Sequence, residues 1–106
     1  MSINVGVAYG SDTQRVAEIL LECAENHKRV LKKPAPSVVF KDFGPSSLDF
    51  ELRCYTSDIW TGWIIPSDLR FEIDRRFREE GIEIPFPQQT ITLGDADLKA
   101  ALLRKL

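Results

Sequence analysis

Apolar and polar residues alternate from Asn4 to Tyr9, with Val5, Val7 and Tyr9 on one side and Asn4, Gly6 and Ala8 on the other. That period of two predicts a strand. Gly10-Ser11-Asp12 breaks it, and Ser11 or Asp12 can cap a following helix by accepting a hydrogen bond from its unpaired N–H groups. Val16, Ile19, Leu20 and Cys23 then recur at helical spacing, which predicts a helix from about Asp12 to Asn26. His27, Lys28 and Arg29 stand at its C-terminal end, where positive charge complements the helix dipole. Pro34-Ala35-Pro36 stops further helix. Ser37 to Phe43 is β-rich, with Val38, Phe40 and Asp42 opposite Val39, Lys41 and Phe43, and Gly44-Pro45-Ser46 makes a tight turn. Leu48, Phe50, Leu52 and Cys54 alternate with Asp49, Glu51, Arg53 and Tyr55, the cleanest half-buried strand in the chain. Residues 38–55 therefore read as an antiparallel hairpin.

Thr56 to Ile65 reads as a loop, and Pro66-Ser67-Asp68 opens a second helix. Leu69, Ile73 and Phe77 form its apolar stripe, with Phe71 off the stripe and Arg70, Asp74, Arg75, Arg78, Glu79 and Glu80 on the wet side. Gly81 is placed to end that helix in the left-handed conformation. Ile84-Pro85-Phe86-Pro87 follows as a rigid extended strap, because each proline fixes its own φ and pushes the preceding residue towards extended geometry. Thr90 to Leu93 reads as a fourth strand, and Asp95 to Leu106 as a helix with Leu98, Leu102 and Leu106 at i, i+4 and i+8. The order is βαββαβ. A four-stranded antiparallel sheet with both helices on one face, joined by right-handed crossovers, satisfies it. The expected fold is thus a ferredoxin-like α+β sandwich over residues 3–93 with a helical C-terminal tail, 94–106.

Composition narrows the function classes. The 106 residues suit one domain with a single core. The net charge of −2 supplies no global field for nucleic acid or anionic lipid. One His and two separated Cys leave little for a metal or redox site, and Cys23 and Cys54 fall at apolar positions, as buried free thiols do. No apolar run approaches the ~20 residues that span a bilayer, and no signal peptide opens the chain. A chain that begins inside a strand is expected to be a piece of something longer.

No catalytic constellation assembles. His27 has no sequence-level tie to a nucleophile or carboxylate. Gly10-Ser11-Asp12 lacks the glycines and lysine of a phosphate loop. Asp49 and Glu51 share a strand face with Arg53, the common pattern of a solvent-side strand, and no partner group gives them a mechanism. An RNA-recognition sheet would present aromatics in a basic setting, whereas this strand offers two acids. We expect no enzyme activity, cofactor, metal or nucleic acid. Two apolar segments stand out instead. Ile59, Trp60, Trp63, Ile64 and Ile65 place two Trp and three Ile in seven residues, more than a surface loop normally exposes. They either fold back on the core or make a subunit or domain contact, as Trp often does. Pro85, Phe86 and Pro87 carry the same choice and lean towards contact.

Three blocks, in order, carry a family resemblance. They are Val7-Ala8-Tyr9-Gly10-Ser11-Asp12 with Val30-Leu31-Lys32-Lys33-Pro34-Ala35-Pro36 beyond the helix, Phe43-Gly44-Pro45-Ser46-Ser47-Leu48-Asp49-Phe50-Glu51-Leu52-Arg53, and Phe77-Arg78-Glu79-Glu80-Gly81-Ile82-Glu83-Ile84-Pro85-Phe86-Pro87-Gln88. Together they resemble the C-terminal cytoplasmic region of small-conductance mechanosensitive (MscS) channels across about residues 5–93. The resemblance implies a subunit with N-terminal transmembrane helices, a pore-lining helix and a middle β domain ahead of this one. It implies a homo-oligomeric ring, a heptamer in the best-known members, whose cytoplasmic parts enclose a vestibule with side portals. Such a channel opens under membrane tension and releases ions and osmolytes in hypo-osmotic shock. This segment would be lower vestibule wall on the cytoplasmic face of the cell membrane, joined to the membrane only through the missing N-terminal segments.

Within that picture Trp60, Trp63, Ile64, Pro85, Phe86 and Pro87 are candidate subunit or domain contacts, and Asp49, Glu51 and Arg53 candidate vestibule-facing charges. Two departures from the family pattern stand out. The Trp60-Thr61-Gly62-Trp63 connection is more apolar than the family's polar one, and the tail from Gly94 reads as helix where well-known members close the cage with a short β-barrel. The competing reading is a stand-alone ferredoxin-like module that oligomerises or binds a small ligand.

Overall fold

The alternating run at residues 48–53 becomes the middle strand of the sheet. The computed structural model describes residues 1–60 and 62–85, in which the elements are β1 (Ser2–Val7), α1 (Thr13–Asn26), β2 (Ser37–Phe43), β3 (Leu48–Arg53) and α2 (Ile65–Glu80). The sheet is antiparallel throughout, in the order β1-β3-β2. Leu48, Phe50 and Leu52 are buried and pair with Val7, Val5 and Ile3 of β1 on one side and with Phe43, Phe40 and Val38 of β2 on the other. Beyond the strand end, Met1 and Cys54 exchange backbone hydrogen bonds at 2.8 and 3.0 Å and extend the ladder by one pair. The α+β class and the hairpin stand as expected. The proposed fourth strand, Thr90–Leu93, and the 94–106 tail lie outside the described residues.

One register event changes which side chains share a face. Phe40 pairs with Phe50 but Asp42 pairs with Asp49, so Lys41 is an extra residue in β2. Simple alternation puts Phe40 and Phe43 on opposite sides. The bulge resets the parity, as one inserted residue does, and returns Phe43 to the core side opposite Leu48. The Phe40 ring stacks on Phe50 with centroids 4.7 Å apart, and Phe43 lies 5.1 Å from Phe40. Phe43 is nonetheless 71% exposed, at the outer end of the edge strand.

Both helices bury their stripes in the core that the inward sheet residues form. Val16, Ile19, Leu20 and Cys23 of α1 and Ile65, Leu69, Ile73 and Phe77 of α2 are all buried there. Asp12 is the α1 cap, accepting the Arg15 N–H at 3.2 Å, while Ser11 donates its hydroxyl to the Ala8 carbonyl at 2.7 Å. β1 ends at Val7, two residues short of the expected strand, and Tyr9 instead reaches across to donate to the Gly44 carbonyl at the hairpin turn. The second helix begins at Ile65, one residue before Pro66, so Ile65 is a buried helical residue and not part of the loop. At its other end Gly81 takes φ +70°, and the Ile82 N–H bonds the Phe77 carbonyl at 2.9 Å, closing the helix as only a left-handed residue allows. Glu83 then accepts the Ala8 N–H at 2.9 Å, which brings the outgoing chain beside the C-terminal end of β1.

Two arginines bridge the helices on their wet sides. Arg15 donates to Glu80 at 2.9 Å and to Glu18 at 3.0 Å, and Arg76 donates to Glu22 at 2.7 Å. The Arg15 hydrogen bond holds the Glu80 carboxyl below its ordinary value of 4.5, and Arg75 does the same for Glu72. These pairs face water, so each contributes little by itself.

Two stability predictions follow from this packing. Phe77→Ala should cost about 3–5 kcal/mol in urea unfolding, and Phe71→Ala, on the exposed side of the same helix, within about 0.5 kcal/mol; equal costs would contradict the assigned stripe. A carboxylate with a depressed folded pKa stabilises the fold above its ordinary value, and the gain is lost as pH falls through the lower folded value. The thermal midpoint should therefore drop on acidification below 4.5, and Arg15→Gln should make that drop shallower. An unchanged acid limb in the variant would show that the bridge carries no linkage.

Candidate interaction surfaces

Where the sheet ends at Cys54, the chain turns away into the connection that precedes α2. Leu31 donates its N–H to the Tyr55 carbonyl at 2.7 Å, which ties this exit to the segment leaving α1. Thr56 accepts the Asp58 N–H on its hydroxyl at 3.1 Å, and Asp58 accepts the Trp60 N–H on its carboxylate at 3.0 Å. Arg29 pairs with the same carboxylate at 3.5 Å. The backbone is thus held, while the apolar side chains are not covered: Ile59, Trp60 and Trp63 are 84, 83 and 76% exposed, and Ile64 is 38% exposed. Ile59, Trp60 and Trp63 thus stand away from the core, while Ile64 is partly covered. Only Ile65 goes inward, as the first turn of α2.

Basic residues flank that ridge. Asn26, His27, Lys28, Arg29, Ile64 and Asp68 line a hollow of ≈ 550 Å³ between the end of α1 and the start of α2. His27 closes α1 as its C-cap, its backbone N–H bonding the Ala24 carbonyl at 3.2 Å, and its ring does more than the sequence suggested. Its Nδ1 accepts the Arg29 N–H at 3.1 Å, and its Nε2 lies 3.0 Å from Asp68, so the ring latches the two helices together. The partner sits 41 positions away, and no local spacing could have revealed it.

Asp49, Glu51 and Arg53 stand together on the outward face of β3, opposite the buried side chains. Glu51 pairs with Arg53 at 3.0 Å, and that hydrogen bond holds its carboxyl below the ordinary range. Asp49 accepts the Ser47 hydroxyl at 2.6 Å. Gly6 lies across from Asp49, and a Cβ there would meet the Ser47 side chain at 3.0 Å, so the small residue keeps this corner open. Pro85 is half-buried just beyond Glu83, which bonds β1 at the end opposite Met1 and Cys54, and Phe86 and Pro87 lie outside the described residues.

Among the described residues no three His, Cys, Asp or Glu gather where a metal ion could bind, and no helix is long and apolar enough to cross a membrane. Cys23 and Cys54 are buried free thiols; burial pushes Cys23 up to about 11 and also raises Cys54.

Comparison with known proteins decides the family. Residues 1–84 match the family described as mechanosensitive ion channel MscS, C-terminal. The chain belongs to the MscS family. This MscS C-terminal domain is 42% identical over 91 residues to mechanosensitive channel MscK of Escherichia coli, covering 86% of this chain and 8% of that protein. It is 38% identical over 95 residues to an uncharacterized MscS family protein of Haemophilus influenzae, covering 90% of this chain and 9% of that one. The crystal structure of Helicobacter pylori MscS in its closed state superposes with a TM-score of 0.77 at 29% identity, over 87% of this chain and 36% of that chain. The domain thus spans less than a tenth of the two curated relatives it matches here.

The thiol environment gives a direct check on the MscS domain's packing. A thiol reagent at pH 8 is expected to label neither Cys23 nor Cys54 in the folded domain and both in denaturant, because burial disfavours the reactive thiolate. Labelling of the native protein at the rate of a free cysteine would contradict the core placement.

Proposed function

We propose that this domain is a cytoplasmic wall element of a mechanosensitive channel subunit, lining part of the vestibule and supporting assembly of the subunits into a ring. The observation that carries the reading is the backbone-anchored ridge of Ile59, Trp60 and Trp63, left bare where the chain passes from the sheet to α2. A stiff domain with an apolar flank and no reaction centre suits a cage wall better than catalysis. The full-length protein would then release ions and small osmolytes under membrane tension, and the ring, a heptamer by family resemblance, would join this domain to transmembrane and middle β domains of the same chain. Trp60, Trp63 and Ile64 are the contact residues in this reading, with Pro85, Phe86 and Pro87 as a second flank. Asp49, Glu51 and Arg53 are the charges that permeating ions would meet at the wall.

Trp60→Ala in the full-length channel separates contact from core. The expected outcome is a weakened ring with monomer stability changed by no more than about 0.5 kcal/mol, as for an exposed side chain. A loss of about 3–5 kcal/mol in the monomer, the scale of a buried aromatic deletion, with an intact ring would contradict the assignment.

A further inference from the structure

The Trp ridge is held by a chain of polar contacts that starts on α2. Asp68, in the first turn of that helix, lies 3.0 Å from His27 Nε2. His27 Nδ1 accepts the backbone N–H of Arg29 at 3.1 Å. The Arg29 guanidinium reaches the Asp58 carboxylate at 3.5 Å, and Asp58 accepts the backbone N–H of Trp60 at 3.0 Å. The His27 ring is thus the link between the helix pair and the segment that anchors the ridge. Its side chain is 14% exposed, so it is packed among these partners rather than free in water.

The two contacts of the ring fix its protonation state. A neutral imidazole has one N–H and one bare nitrogen. Nδ1 is an acceptor here, so it is the bare one, and Nε2 carries the proton that Asp68 accepts. A second proton would have to sit on Nδ1. It would point at the Arg29 N–H, donor against donor, and that bond would be lost. Flipping the ring does not help, because an imidazolium has no acceptor nitrogen. The Asp68 contact survives, since an imidazolium is drawn to a carboxylate. The charged groups that face the ring are Asp68 from α2 and Lys28 and Arg29 from its own turn, with Asp58 of the ridge connection behind Arg29.

We propose that His27 is a proton-operated catch on the ridge of Trp60 and Trp63: neutral, it holds Arg29 and through it the ridge; protonated, it keeps Asp68 and releases Arg29. The proposal rests on the reading of the ridge as a contact surface and adds a regulation of it. Arg29 then loses the backbone hold that places its guanidinium on Asp58, the anchor of the Trp60 N–H. The bonds from Val30 to the His27 carbonyl and from Leu31 to Tyr55 do not involve the ring, so the change is confined to Arg29, Asp58 and the ridge. A surface ordered in advance costs less to bind, so acidification weakens the contact that the ridge makes. Imidazole is the side chain whose charge changes between about pH 8 and pH 5. The helix bridges at Glu72 and Glu80 titrate below 4.5 and stay closed in that window.

Heteronuclear NMR of the 106-residue chain tests this. Between about pH 8 and pH 5, protonation of the His27 ring should be matched, with the same midpoint, by shifts of the Arg29 and Trp60 backbone amides. Exchange protection of the Arg29 amide should fall about tenfold, the loss of one hydrogen bond. The chain's two tryptophans both lie in the ridge, so fluorescence anisotropy reads its mobility and should fall over the same range. His27→Gln keeps a donor for Asp68 and an acceptor for Arg29 but takes up no proton, and should hold the ridge throughout. His27→Ala should resemble the acid form at every pH. A ring that titrates while Arg29 and Trp60 do not respond overturns the catch, as does a response of the ridge that persists in His27→Gln. The amides of Ile19 and Phe77 report whether each variant is folded, and the wild-type titration decides the first outcome without any variant. None of these readouts needs assembly, so the catch can fail while the ring stands. A ring left whole by Trp60→Ala fails the assembly reading and not the catch.

Discussion

Removing Leu48, Phe50 and Leu52 from water is the requirement that organises this domain. A strand this apolar on one face needs a neighbour on each edge and a cover over that face. β1 and β2 supply the edges, and the stripes of α1 and α2 supply the cover. The same strand, because its side chains alternate, must present Asp49, Glu51 and Arg53 on the other side. The charged outward face is therefore a direct consequence of the core and not a separate feature added to it.

The periphery holds that arrangement with polar contacts of longer reach. Arg15 and Arg76 span the two helices near the Glu80 end, and His27 with Asp68 ties them at the other. Between these contacts the two helices are held mainly by the buried stripes of α1 and α2 in the shared core. Arg29 and Asp58 then carry the fixation outward to the ridge itself.

What the sequence made legible was whatever depends on local period. The β3 alternation, an α1 cap at Ser11 or Asp12, the exposed place of Phe71 and the left-handed turn at Gly81 all follow from neighbouring residues, and the structure has them, with Asp12 as the cap. What it hid depends on partners far along the chain or on a broken period. The bulge at Lys41 reset the parity of Phe43, and nothing in Ser37–Phe43 announces an extra residue. Tyr9 left its strand for a carbonyl at Gly44, and His27 found Asp68 at the start of the neighbouring helix. For the contact surface, composition flagged the tryptophans, but only burial could decide between core and ridge, and it divided the segment at Ile65. Asp49 was marked by the alternation of β3, whereas Asp42 became its cross-strand neighbour only through the register that the bulge sets.

The central claim is that the described core packs within this domain and that the bare ridge around Trp60 is covered by a contact in the whole protein. Hydrogen–deuterium exchange on the isolated domain and on the full-length channel tests it most directly. Backbone amides of β1, β3 and both helices should be equally protected in the two samples, while those around Trp60 gain protection only in the channel. Unprotected core amides in the isolated domain, or unchanged exchange around Trp60 in the channel, would contradict it.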